Sequence, residues 1–215
     1  MRLLVATAYH PSVGYMAEAM RSDGIVVEAF ETYTKQTCRN HCIIFGPNGR
    51  QMLSIPVIKV NGNHTLTKDI VISDHQPWQK IHWRSIKTAY SNSPFFLYYQ
   101  DHFTHFYEKN FRFLLDLNME ILQTLLEILK TKRILNLTES FEKSPGNIKD
   151  LRSLPGTKSS GQQLNYPHYT QVFESCHGFI PGLSILDVIF NLGPETAGYL
   201  DLIFSPASVP FPDMP

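Results

Sequence analysis

Five polar residues stand where their chemistry and their surroundings conflict. Asn118 falls inside an apolar helical stripe, between Leu114-Leu115 and Ile121-Leu122. A desolvated amide without a partner costs about 1–3 kcal/mol, so something must meet it. Two partners fit: the backbone of a loop, or a bound ligand. His82 repeats the pattern on a second helical face, between Trp78 and Ile86. An imidazole there is either a satisfied core residue or a general base working near neutral pH. Arg39-Asn40 follows the polar run Thr32 to Thr37 and precedes an apolar strand. Guanidinium and amide together can clamp a carboxylate or phosphate, or simply guard an exposed edge. His177 precedes Gly178-Phe179 in a turn before a helix, a position suited to chemistry on an anion and equally to a plain surface turn.

Other chemistries fit poorly. Cys38, His41, Cys42, Cys176, His177 and the pair His102 and His105 are metal-ligating types, but Cys38 and Cys42 have no second matched pair, which argues against a zinc site. No Gly-rich phosphate or dinucleotide loop follows the first apolar strand, where Gly14 stands alone. Asp187 sits at the third position of a helix opened by Ser184 and reads as a partner of the helix dipole.

The elements that must carry these residues are legible in outline. Leu3–Ala8 is a continuous apolar run, the pattern of a strand buried on both faces. A helix from Ser12 to Arg21 and a second apolar run, Ile25–Phe30, complete a βαβ unit whose strands should be parallel. Asn48-Gly49 between apolar runs predicts a hairpin, with a third antiparallel strand at Lys68–Ile72. Helical periodicity then covers Trp78–Tyr90, a stretch after Pro94, and Phe111–Lys130, with a further strand at Ile134–Leu137 and a last helix at Ser184–Leu192 ended by Gly193-Pro194. The expected fold is therefore α/β: a Rossmann-like βαβ start, antiparallel hairpin additions and a helical second half. Residues 1–215 should form one domain, with a long loop over 142–165 and an extended, proline-rich tail over 205–215.

Composition sets outer limits. With 19 basic and 19 acidic residues the formal charge is zero, which argues against general nucleic-acid binding and leaves room for a small anionic ligand held by one or two local cations. Aromatic residues reach 12%, so large flat side chains should dominate the core. Three cysteines without framework spacing read as reduced thiols. The amino-terminal apolar run is too short for an export signal, and no stretch is long enough to span a membrane; a cytoplasmic location is expected.

Several segments, taken in order, resemble one family. They are Thr32-Tyr-Thr-Lys-Gln-Thr-Cys-Arg-Asn40, Asn48-Gly49 with Leu53-Ser-Ile-Pro-Val57, Lys68-Asp69-Ile70, Trp78-Gln-Lys-Ile-His82 and Ser93-Pro-Phe-Phe96. Asp116-Leu-Asn118, Thr138-Glu-Ser-Phe-Glu142, His177-Gly-Phe179 and Leu183 to Asn191 with Gly193-Pro-Glu195 complete the series. The chain resembles the WbqC-like proteins, particularly their shorter bacterial branch. That resemblance implies a bacterial cytoplasmic protein associated with surface-polysaccharide (O-antigen) biosynthesis. It also implies that Arg39, Asn40, His82, Asp116, Asn118, His177 and Asp187 are shared positions. The chain departs from the family pattern at His41, where a second cation is usual, and at Leu192, where the family tends to have Glu. It implies no particular cofactor.

Two functions follow as expectations. One is a group transferase acting on an activated sugar or amino-sugar precursor, with His82 and His177 handling protons and Arg39, Asn40 and Asn118 holding an anionic ligand. The other is a non-catalytic binding or scaffold protein of the same pathway. In the first case Asn118, His82 and Arg39 should face one cleft, with His177 at its rim.

Overall fold

A computed structural model describes residues 1–153 and 164–205. Of the tail expected over 205–215 all but the first residue, and of the loop expected over 142–165 residues 154–163, lie outside the described residues. The chain opens with strand β1 (Leu3–Ala6), helix α1 (Val13–Arg21) and strand β2 (Gly24–Glu28), and β1 pairs with β2 in parallel. Ser12 caps α1 by accepting from the Tyr15 amide, as its place before the first apolar turn predicts.

The hairpin follows as β3 (His41–Gly46) and β4 (Gly49–Ser54), antiparallel, with Gly46 opposite Gly49. Gly49 has φ 92°, the left-handed geometry that an Asn-Gly tip supplies. Short strands β5 (Val57–Ile58) and β6 (Val71–Ile72) pair antiparallel. Of the run Lys68–Ile72 expected as a third strand, the first two residues belong to a 3₁₀ turn (Thr67–Asp69) and only the last two pair as β6.

Four helices come next: α2 (Trp78–Tyr90), α3 (Phe96–Tyr99), α4 (Asp101–Glu108) and α5 (Leu114–Ile128). Strands β7 (Ile134–Leu137) and β8 (Lys149–Asp150) then join the opening sheet, and β8 lies within the stretch read as loop. Helices α6 (Glu174–His177), α7 (Ile185–Leu192) and α8 (Thr196–Leu202) close the described chain. Here the expectation of a last helix ending at Gly193-Pro194 is corrected. Proline's fixed φ and missing N–H suit the first turn of a helix as well as the end of one, and a 3₁₀ turn at Gly193–Glu195 leads straight into α8.

The main sheet runs β7-β2-β1-β8 and is parallel throughout. In order of appearance its strands lie third, second, first, fourth, which is the order that opens a doubly wound fold. The α/β class with a parallel start, antiparallel hairpins and later helices is therefore observed. Helix α1 packs against α7 and α8. A cluster of rings fills the helical half: Phe190 meets Phe96 at 5.0 Å, Tyr90 at 5.2 Å and Phe103 at 5.5 Å between centroids. Those separations are within the range where aromatic pairs add to area burial.

Candidate active site at the carboxyl edge of the parallel sheet

The chain leaves β1 toward β2 on one side, while β8 lies against β1 on the other. Strand carboxyl ends beside such a change of direction leave a crevice where ligands bind in open α/β sheets. A cavity of about 790 Å³ occupies this place. Its wall includes Tyr9 to Ser12 after β1, Glu31 after β2, and Asp150 and Arg152 at the end of β8. The turn 36–39, with the start of β3, and residues 182–184 before α7 close it.

Two arginines enter this wall, and each is matched by carboxylates. Arg39 donates through Nε to Glu31 Oε1 at 2.8 Å and through one guanidinium nitrogen to Thr37 Oγ1 at 3.1 Å, while the other lies 2.6 Å from Glu31. Burial raises the Glu31 carboxyl above its usual range, and the Arg39 charge opposes that rise. Arg152 reaches Glu28 at 2.7 Å and Asp150 at 2.7 Å, pinning the ends of β2 and β8 together across β1. The hydrogen bond from Arg152 also holds the Asp150 carboxyl below its usual range. Lys143 is the lining lysine, is exposed, and has no carboxylate partner among the described residues.

The helix ends at this edge are already satisfied in part. The Val13 amide donates to Leu183 O at 2.9 Å and the Ile185 amide to Pro11 O at 2.9 Å, so α1 and α7 meet end to end. The geometry differs from a phosphate loop, where such amides face the anion.

The turn that carries Arg39 is held from beneath. Asn118 Nδ2 donates to the Arg39 carbonyl at 2.8 Å, so its partner is loop backbone. Asn40 Nδ2 donates to Ile55 O at 3.0 Å, and the Ile55 amide returns a bond to Asn40 O at 2.8 Å. Arg39, Asn40 and Asn118 are thus neighbours, but only Arg39 lines the cavity.

His82 lies behind the wall, buried, with Nδ1 at 3.0 Å from the Tyr9 hydroxyl. Tyr9 meets Tyr107 at 3.1 Å, and Tyr107 meets His10 Nε2 at 2.7 Å. His10 lines the cavity, so a four-residue chain of side chains joins His82 to it. Burial pushes His82 down to about 4 and His10 down to about 3, the latter helped by His82. Both rings are therefore neutral at pH 7. His10 has φ 39°, rare outside glycine, and its Nδ1 is buried without a partner. Strain and an unpaired polar atom in one residue beside a cavity are the usual marks of a functional position.

His177 is elsewhere. It is exposed, and its Nε2 lies 2.7 Å from Pro47 O at the tip of the hairpin. Neither His177 nor Asn118 lines the cavity, so the four residues expected around one cleft are not assembled there. Asp187 is fully buried at the start of α7, where Tyr169 and Gln171 donate to Oδ2 and burial pushes its carboxyl up to about 6.

His10 is absent from the candidates read from the sequence, where it stands just beyond the apolar run Leu3–Ala8. A signal was available. The residues after the first strand of a βαβ unit sit at the carboxyl edge, where such folds place ligands.

These features define a class: an α/β protein with a small-molecule-sized cavity at the carboxyl edge of a four-stranded parallel sheet. The WbqC-like protein family matches residues 7–154 and 153–199, and the chain belongs to that family. It is also similar to the uncharacterized protein Rv1507c of Mycobacterium tuberculosis (strain ATCC 25618 / H37Rv), with 26% identity over 222 residues, 92% of this chain and 96% of that one. No solved structure matches significantly. Among the described residues, no group of three or more His, Cys, Asp and Glu side chains is arranged to hold a metal ion. No helix among them is long and apolar enough to cross a membrane.

Proposed function

We propose that the protein is a group transferase acting on an activated sugar or amino-sugar precursor in bacterial surface-polysaccharide biosynthesis, with its site in the cavity at the carboxyl edge of the sheet. The observation that carries this reading is the cavity itself, about 790 Å³ beside the β1–β8 switch, with a strained histidine and a lysine in its wall. A volume of this order accommodates a nucleotide-sized molecule. Lys143 would meet the negative groups of an activated donor, and Arg39 would add hydrogen bonds if Glu31 yields some of its own. Group transfer requires that the acceptor's hydroxyl or amine lose its proton as it bonds to the donor and the leaving group departs with its electron pair. His10 is one of two imidazoles in the cavity wall, with His41, and a chain of side chains through Tyr107 and Tyr9 joins it to His82. The resemblance to the WbqC-like proteins supports the pathway and a cytoplasmic site of action.

A second reading is a non-catalytic binding protein of the same pathway. It is favoured by the commitment of both arginines to carboxylates and by the distance of His177 from the cavity.

A thermal-shift series with UDP-N-acetylglucosamine, coenzyme A thioesters and free amino acids tests the first reading, because a ligand of the native state raises its melting temperature. Stabilisation by an activated donor, lost in Lys143→Ala, followed by release of its leaving group on adding acceptors, is the expected outcome. Stabilisation without turnover under any pairing favours the binding protein, and no stabilisation by any activated donor removes the transferase.

A further inference from the structure

The end of the cavity beside β2 and β8 holds more carboxylate than its guanidinium groups can match, and the surplus falls on one atom. Glu28, Glu31 and Asp150 stand there against Arg39 and Arg152. Glu28 is fully engaged. Its Oε1 accepts from the Phe30 amide at 2.9 Å and from Thr138 Oγ1 at 2.8 Å, and its Oε2 from Arg152 at 2.7 Å. Both oxygens of Asp150 accept from Arg152. Glu31 differs, because the two Arg39 nitrogens that reach it converge on Oε1, at 2.8 and 2.6 Å. Its Oε2 accepts no hydrogen bond among the described residues, yet it is not one of the atoms buried without a partner, and the side chain keeps 13% of its surface open. Glu31 lines the cavity, so the excess negative charge meets the open space at this oxygen. Burial raises the Glu31 carboxyl and Glu28 adds to the rise, while Arg39 and Arg152 oppose it without cancelling it. A carboxylate so placed gains from one more positive partner. Its position is fixed by backbone: the Glu31 carbonyl accepts from the Thr67 amide at 2.9 Å, and the Arg39 carbonyl is tied to Asn118 on α5 at 2.8 Å. A ligand can therefore use Oε2 while Arg39 keeps Oε1.

We propose that Glu31 Oε2 is a subsite for a protonated primary amine, so that the acceptor in this cavity is an amino compound such as an amino sugar rather than a neutral alcohol. The inference rests on the cavity being the transferase site and adds the class of its acceptor. An ammonium brings N–H donors and the missing positive charge together, in a charge-assisted bond. A hydroxyl brings a donor alone. A metal ion would need further ligands, and among the described residues no third His, Cys, Asp or Glu is arranged to supply one. A phosphate or carboxylate at Oε2 would set like charges together, so the negative part of a donor belongs toward Lys143, the exposed lysine of the same wall.

Side-chain carboxyl NMR on protein labelled with ¹³C-glutamate tests this with three sugars, D-glucosamine, N-acetyl-D-glucosamine and D-glucose, at about pH 6.5, where an amine carries its proton. The Glu31 carboxyl resonance, assigned through bonds, should move with glucosamine and stay in place with the two neutral sugars. Glu31→Gln keeps an oxygen for Arg39 but removes the charge, and should weaken glucosamine binding by at least about tenfold. A Glu31 resonance that glucosamine does not move, or that glucose moves as far, overturns the inference in the wild type alone, whether or not Glu31→Gln folds. So does unchanged glucosamine affinity in a folded Glu31→Gln. If glucosamine leaves Glu31 unmoved while UDP-N-acetylglucosamine still stabilises the protein, the amine subsite falls and the transferase reading survives. If glucosamine moves Glu31 but no activated donor stabilises the protein, the amine subsite stands and the transferase falls.

Discussion

Asn118 separates two kinds of buried polar residue. Its amide nitrogen fastens α5 to the Arg39 carbonyl, while its Oδ1 is buried with no partner. Asn118→Leu removes that orphaned oxygen but also strands the Arg39 carbonyl, and the second effect should win because the lost donor belonged to a made bond. The expected loss is about 1–3 kcal/mol, read as a fall of several degrees in the thermal midpoint for a chain of this length. An unchanged or raised midpoint would mean that the turn finds another anchor. The sequence made this residue conspicuous, since an amide in an apolar stripe must be met by something. It could not say by what, because the partner is a carbonyl 79 residues away. His10 was illegible for the opposite reason. A histidine between a strand and a proline breaks no periodicity, and only the assembled sheet shows that it lies beside a cavity.

Elements were most legible where local pattern and tertiary role agree. The helix expected over Trp78–Tyr90 has those ends, because its apolar face and its buried face coincide. The carboxyl-terminal region failed where local chemistry is ambiguous. Gly193 shows why the junction there tolerates one residue type. Its φ is 53°, and a Cβ added to it would lie 2.5 Å from the Phe95 ring. Gly193→Ala therefore meets both a backbone penalty and a clash with the ring of Phe95, a residue whose amide donates to Phe190 O on α7 and whose ring packs on Tyr98 of α3. Urea unfolding should show a loss of at least about 2 kcal/mol. A loss below about 0.5 kcal/mol would show that α7 and α8 can shift apart without cost. Strand β8 was hidden for a different reason. Two residues inside a polar, proline-containing stretch carry no periodic signal, and β8 is held by backbone pairing with β1 and by Arg152, which reaches Glu28 on a strand two places away.

At the scale of the whole molecule, acid stability sums groups of opposite sign. His10 and His82 have folded values near 3 and 4, below the 6.5 of a free imidazole. The unfolded chain then binds more protons, so stability is complete above pH 6.5 and falls as pH drops toward 4. Asp187 acts the other way: with a folded value near 6 against 3.8 unfolded, it adds stability as pH falls through 6 toward 3.8. The histidines outnumber it, and a net loss on the order of 1–2 kcal/mol per pH unit is expected between pH 6 and 4. Denaturant melts across that range should show the slope, and Asp187→Asn should steepen it. A flat profile in the wild type would mean that the two rings are not kept neutral.

The long excursion between β2 and β7 gives the molecule a history as well as a shape. Glu28 and Thr138 bond at 2.8 Å although 110 residues separate them. The first strand pair closes from local chain, but the sheet's two outer strands can dock only after the hairpin, the small antiparallel pair and helices α2 to α5 have been made. During synthesis at about 5–20 residues per second, β2 therefore waits several seconds with an open edge before its partner leaves the ribosome. The cavity is completed late, because Asp150 and Arg152 arrive with β8 and residues 182–184, which close it, are made later still. An interrupted chain ending before β8 would have the hairpin and much of the helical half while lacking a finished pocket, so ligand competence is a late event in the life of each molecule and reports that the chain has been made at least to its fourth parallel strand.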